Sequence, residues 1–104
     1  MLTDLTCSRI DKSVSPMSES EAKKLLNEVS GWAMNDGAIS REFAFKDFIQ
    51  AMQFVNKVAD LASREDHHPD IHIYYNKVKL DLSTHRIGGL SMNDFILAAK
   101  ISRI

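Results

Sequence analysis

Residues 67–85 read HHPDIHIYYNKVKLDLSTH. Ile71, Ile73 and Tyr75 alternate with other residues before Asn76-Lys77, and Val78, Leu80 and Leu82 alternate after it. Period-two apolar patterning on both sides of a short polar break is the signature of a β-hairpin. If Asn76-Lys77 is a two-residue turn, Tyr75 faces Val78, Ile73 faces Leu80 and Ile71 faces Leu82. All six apolar side chains then share one face, which supports this register. The other face carries His72, Tyr74, Lys79 and Asp81. Continued backwards through Pro69, the same register sets His68 opposite His85. The hairpin therefore gathers the His67-His68 corner and His85 at one end.

Working outward, the pattern before this hairpin is helix, hairpin, helix. Residues 1–17 show no period and contain Ser13, Ser15 and Pro16, so they are expected to form a loosely ordered arm; a single domain then spans 18–104. Ser18 and Glu21 have capping-box spacing. Ala22, Leu25, Leu26 and Val29 follow at helical spacing, and Gly31 is expected to stop that helix. Trp32 and Met34 alternate, Asn35-Asp36-Gly37 offers a tight turn, and Ile39, Phe43 and Phe45 lie on one side of a second strand. Arg41 interrupts that side, which places the strand near an edge or an interface. Asp47 is a good N-cap. After it, Phe48, Met52, Val55, Ala59 and Ala62 mark a long amphipathic helix to about Glu65. Phe54 and Val58 widen its apolar face, which suggests a covering partner subunit. Beyond the His-rich hairpin, Gly88-Gly89 breaks the chain. Ser91 and Asp94 form another cap pair ahead of a short helix with Phe95, Leu97, Ala98 and Ile101. The expected fold is α+β, in the order α-β-β-α-β-β-α: one four-stranded antiparallel sheet with three helices on one face.

Composition narrows the function. The chain has 104 residues, enough for one domain, with 44% hydrophobic and 26% charged residues. Its net charge of -1 argues against a general nucleic-acid binder, which needs a basic face for phosphates. A single cysteine, Cys7, allows no internal disulfide and fits a reducing compartment. No apolar run approaches the ~20 residues of a membrane span, and the N-terminus lacks a basic-then-apolar secretion pattern. A cytoplasmic protein is expected.

All four histidines, His67, His68, His72 and His85, fall within 19 residues of sequence. Imidazoles titrate near neutral pH, at about 6.5 when unperturbed, so a cluster of them suits general acid–base catalysis. A lone histidine is more often a surface or capping residue, but three converging at one end of a hairpin shift the balance toward chemistry. A metal site with Asp70 or Glu65 as an added ligand is the weaker alternative, because no His-Glu-x-x-His or paired-cysteine spacing is present.

At these residues the chain resembles the pterin-4a-carbinolamine dehydratase family. The resemblance is carried by His67-His68-Pro69, by Tyr75-Asn76-Lys77-Val78, by Leu82-Ser83-Thr84-His85, and by Gly89-Leu90-Ser91 with Asp94. Gly31-Trp32 and Phe45-Lys46-Asp47-Phe48 are similar too, so that it covers roughly residues 16–101. It implies a carbon–oxygen lyase that removes water from a 4a-hydroxytetrahydropterin to give the quinonoid dihydropterin. That reaction recycles tetrahydrobiopterin after aromatic amino acid hydroxylation, so a functional link to such a hydroxylase is also implied. The pterin is the substrate, and neither cofactor nor metal is expected.

Carried over by position, the catalytic residues are His67, His68 and His85, with His67 and His85 as acid–base groups and His68 orienting the pterin. Substrate contacts are expected from His67, His68 and Pro69 and from Thr84, His85, Arg86 and Ile87. Asp94 matches a signature aspartate and is read as structural, capping the last helix. Two positions depart from the family pattern. Ile71 stands where many relatives have tryptophan, and Ser63 where a charged residue commonly precedes the histidine pair. Family members form dimers or dimers of dimers, so a homo-oligomer is expected. Some act as dimerization partners of a homeodomain transcription factor, or are linked to molybdopterin metabolism or to assembly of a carboxylating enzyme. A non-catalytic interaction protein is thus the competing reading, and the intact histidine set favours catalysis over it.

Overall fold

In a computed structural model describing all 104 residues, four strands form one antiparallel sheet. They are β1 (Ala33–Met34), β2 (Ile39–Ala44), β3 (Asp70–Tyr74) and β4 (Lys77–Leu82), in spatial order β1-β2-β4-β3. Helices α1 (Glu19–Leu26), α2 (Phe48–Glu65) and α3 (Met92–Ile101) complete the expected order. No helix is long and apolar enough to cross a membrane.

Strand alternation explains why the sheet has one covered face. Ile39, Val78, Leu80 and Leu82 point to that face and are fully buried. They pack with Ala51, Phe54, Val55 and Val58 of α2 and with Phe95, Leu97, Ala98 and Ile101 of α3. Ser40, His72, Tyr74, Lys79 and Asp81 project from the other face, where Ser40 and His72 both bond to the Asp81 carboxylate. The caps read from the sequence are present. The amide of Glu21 donates to Ser18 Oγ at 3.2 Å, and that of Gln50 donates to Asp47 Oδ1 at 2.8 Å.

Four details differ from the sequence reading. The β3–β4 hairpin turns at Tyr75-Asn76, so that Ile71 faces Leu80 and Ile73 faces Val78. Tyr75 adopts the left-handed conformation the turn needs, with φ +55°. Asn76 is held there because its side-chain amide donates to the Phe45 carbonyl. The slip is of two residues, so the side chains that stay in the strands keep their faces, but Tyr75 passes into the turn and is exposed, and His68 no longer faces His85 across the ladder. Second, α1 ends at Leu26 rather than Gly31. From Asn27 to Val29 each amide bonds three residues back, which tightens the backbone out of the α-helix before Gly31 turns it into β1.

Third, Phe54 and Val58 are core residues and not a spare surface. Phe54 stacks against Phe43 and Phe45 of the sheet, with ring centroids 4.6 and 5.1 Å apart, and Val58 is fully buried. The exposed apolar groups of α2 are Phe48 and Ile49, in its first turn. Fourth, the arm is fastened to the domain. Leu2 is buried in a short 3-10 turn (Leu2–Asp4), the Cys7 amide donates to Glu65 Oε1 at 2.9 Å, and the Met17 amide donates to the Leu90 carbonyl at 2.8 Å. Arg41 shows why its strand looked like an edge. β1 pairs only with Ile39 and Ser40, so from Arg41 onward one side of β2 is open. Its guanidinium reaches the Ser30 carbonyl and Ser102 Oγ.

Candidate active site

The histidines are placed by two chain reversals at the same end of the sheet. At the first, α2 ends on Asp66 in the left-handed conformation, with φ +54°. The His67 amide then bonds back to the Ala62 carbonyl at 3.1 Å, which also accepts from the Asp66 amide, a helix stop of the left-handed kind. This turn swings His67 inward, leaving its side chain 11% exposed. At the second, Thr84 and Gly89 pair backbone to backbone just past β4. The loop between them is a single 3-10 turn (His85–Ile87) that presents His85 and Arg86 outward. Gly89 forms the back of this clasp, against the arm: a Cβ there would come within 2.7 Å of Pro16 Cβ.

A buried carboxylate ties the two reversals together. His67 Nε2 lies 2.6 Å from Asp94 Oδ1, and Asp94 is fully buried. Its Oδ2 accepts from Thr84 Oγ1 at 2.9 Å and from the Ser91 amide at 3.0 Å. The second of these is the cap expected from the Ser91-Asp94 spacing. An ionised carboxylate can only accept, so Thr84 spends its one proton on Asp94. The Ser91 hydroxyl, 2.6 Å from Thr84 Oγ1, must then be the donor in that pair. By the same logic His67 Nε2 carries hydrogen. In its neutral form the ring therefore keeps its lone pair on Nδ1, the nitrogen not committed to Asp94. A buried charge with three donors is a tolerable one, where an unpaired one would be very costly.

His67, His68, Thr84, His85 and Arg86 line one cleft of about 230 Å³. His68 is exposed. His85 is 73% exposed on its side chain, with Nε2 3.8 Å from Asp70 Oδ1. Pro69 and Ile87, expected among the substrate contacts, do not line the cleft, and Thr84 turns its hydroxyl inward to Asp94. Glu65 is removed from the histidines: it is bound to Lys100 at 2.8 Å and to the Cys7 amide. Those hydrogen bonds, first from Cys7 and then from Lys100, hold its carboxyl below the ordinary 4.5. Burial first, and then the Glu65 charge, push the neighbouring Cys7 thiol up to about 12, so it stays protonated.

Three features of the site were not read from the sequence. One is the grip of Asp94 on His67 across 27 residues. Another is Asn93, whose side-chain amide accepts from the Ser8 amide at 3.0 Å and donates to the Ser8 carbonyl at 2.6 Å. The third follows from it: Ser8, Arg9 and Ile10 of the arm form part of the cleft wall. The capping signal located Asp94, but nothing local pointed to its second partner.

The sequence profile described as Pterin 4 alpha carbinolamine dehydratase matches residues 15–104. The chain belongs to this family. A Nitrosomonas eutropha protein named for pterin-4-alpha-carbinolamine dehydratase is 45% identical over 104 residues, 99% of this chain and 92% of that one. One from Sulfolobus acidocaldarius with the same name is 43% identical over 88 residues, 85% of this chain and 97% of its own. Among solved structures, a transcriptional coactivator/pterin dehydratase from Brucella melitensis superposes with a TM-score of 0.81 at 36% identity, covering 86% of this chain and 97% of that one. A pterin dehydratase-like protein described as a RuBisCO assembly factor shares the fold at 19% identity, with a TM-score of 0.57 over 69% of this chain and 83% of its own.

Proposed function

We propose that this member of the family dehydrates a 4a-hydroxytetrahydropterin by histidine acid–base catalysis, in recycling of a tetrahydropterin used by an aromatic amino acid hydroxylase. The observation that carries the reading is the Asp94–His67 pair opening onto a cleft shared with His68 and His85. The reaction breaks the C4a–O bond, releases the hydroxyl as water and removes the N5 proton, leaving a C4a=N5 double bond in the quinonoid product. Neutral His67, with Nε2–H fixed on Asp94, offers Nδ1 to take the N5 proton. His85 gives a proton to the departing hydroxyl and, being exposed, exchanges protons directly with water. His68 orients the bicyclic ring. The set needs neither metal nor cofactor.

A second reading is an interaction role, alone or beside catalysis. It is favoured by the exposure of Phe48 and Ile49 on α2, and the name of the Brucella relative couples the two activities in that protein. The histidines separate the readings. Stopped-flow decay of an enzymatically generated carbinolamine, corrected for the spontaneous reaction, is the assay. His67→Ala and His85→Ala should each slow it by up to about 10²-fold, the contribution of one positioned acid or base, and the double variant should fall below either. His68→Ala should raise KM more than it lowers kcat. His72→Ala, on the open face of the sheet, serves as the control. If the protein gives no acceleration over buffer, or if the double variant matches wild type, the catalytic reading is wrong.

A further inference from the structure

The arm adds Arg9 and Lys12 to the Arg86 of the second histidine loop, which concentrates positive charge beside the cleft. Arg9 lines the cleft together with Arg86 and the His67-His68 corner. The same two arginines border an adjoining hollow with Lys12 and Asp11. Arg9, Lys12 and Arg86 are all exposed, and none takes part in an ion pair within 4.0 Å. Asp11, the acid among them, is turned to its own loop, accepting from the Ser13 amide at 2.8 Å. Those bonds to Ser13, and secondarily the Arg86 charge, hold its carboxyl low. Asp66 is the other acid on the cleft, at the histidine end. The mouth and the adjoining hollow therefore carry three cations against two carboxylates, Asp66 and the Ser13-bound Asp11, in a chain whose net charge is -1.

Nor is Arg9 on a free tail. Ser8, one residue before it, is gripped at both its amide and its carbonyl by Asn93, which is 5% exposed. Cys7 is bonded to Glu65. Two consecutive residues are thus pinned to the domain, and the backbone of Arg9 leaves from a fixed point beside the cleft.

A reduced pterin with a hydroxylated alkyl side chain is uncharged and offers such a cluster only neutral hydrogen-bond acceptors, about half as strong as an anionic partner. We propose that the preferred substrate of this enzyme is a pterin whose C6 substituent carries an anionic group, a phosphate ester or a carboxylate. Arg9, Arg86 and Lys12 bind that group while the bicycle sits between the histidines. Guanidinium groups suit it because their forked donors match both oxyanions in charge and shape. The inference rests on the dehydratase reading and adds a substrate class to it.

Calorimetric titration under anaerobic conditions tests it with three product-like ligands: neutral 7,8-dihydroneopterin, its 3′-phosphate, and 7,8-dihydrofolate. The phosphate or the folate should bind roughly tenfold more tightly than the neutral ligand at low salt, the effect of one or two exposed charge-assisted contacts. Which of the two gains more identifies the anion. The preference should shrink at high salt, drop with Arg9→Ala or Lys12→Ala, and reverse with Arg9→Glu. Lys23→Ala, on α1, should leave it intact. Equal affinities for neutral and anionic ligands, or a preference that survives the Arg9→Ala/Lys12→Ala double variant, would overturn the proposal while leaving the dehydratase reading standing. If none of the three ligands binds and no carbinolamine form of the neutral or the anionic pterins is turned over, the dehydratase reading fails, and the substrate class fails with it.

Discussion

Replacing Asp94 with asparagine removes a charge, changes almost no volume and should reverse the tautomer of His67. The carboxylate takes three donors, from His67 Nε2, Thr84 Oγ1 and the Ser91 amide. An amide has one acceptor and one donor end. Turning its NH₂ toward Ser91 would set two N–H groups against each other, with no water to relieve them at a fully buried site. Its oxygen must therefore keep the Ser91 and Thr84 bonds, and its NH₂ must face His67. Nε2 then has to accept, which moves the ring hydrogen to Nδ1 and fills the lone pair that the proposed mechanism uses. Two charge-assisted bonds become neutral ones, at a cost of about 1–3 kcal/mol of stability. The rate effect should be larger, about 10²-fold or more in kcat/KM, because the loss is that of a positioned base. Urea denaturation gives the first quantity. The kcat/KM of the fully folded variant gives the second. If Asp94→Asn lowers the denaturation midpoint but the folded protein turns over at the wild-type rate, Asp94 is a helix cap only and the tautomer argument is refuted.

Glu65 gives a prediction in pH. Its folded pKa lies below the ordinary value, so its ionised form favours folding. That contribution is complete above about 4.5 and disappears as pH falls through the lower, folded value. Glu65→Gln should therefore cost stability at neutral pH and converge with wild type in acid, which thermal melts between pH 3 and 7, set as roughly this window by the carboxylate range, would show; a constant difference across the range would contradict it. Assembly is the other test: light scattering at micromolar concentration should report a dimer or a dimer of dimers that covers Phe48, Ile49 or the exposed Ile73 and Tyr75, and a monomer would overturn the homo-oligomer expected from the sequence.

What the sequence made legible was whatever repeats locally. Val78, Leu80 and Leu82 announced the buried strand, and Ser18, Asp47 and Ser91 announced the three helix starts. The hairpin register slipped because its turn is chosen by a tertiary bond, from Asn76 to the Phe45 carbonyl, rather than by the turn residues alone. Phe54 looked surplus because the aromatic pair that absorbs it, Phe43 and Phe45, lies on a sheet whose packing has no signature along α2. His67, His68 and His85 do meet, though through two chain reversals and not through a ladder. The arm was the least readable segment. The burial of Leu2 and the isolated bonds from Cys7, Ser8 and Met17 to distant partners have no period, so a fastened strap and a loose tail look the same in one dimension.

Gly89 shows how narrow the tolerances are where that strap crosses the domain. The space a methyl group would need is occupied by Pro16, a rigid ring that cannot fold aside. Any side chain at 89 acts as a wedge with two ways to move. Driven one way, it lifts Pro16 and pulls on the Met17–Leu90 bond that seats the strap. Driven the other, it spreads the Thr84–Gly89 clasp, and Thr84 is one of three donors steadying the carboxylate that holds His67. A residue with no functional group of its own therefore sets a mechanical clearance, and the alignment of an imidazole on the far side of the clasp depends on that clearance staying empty.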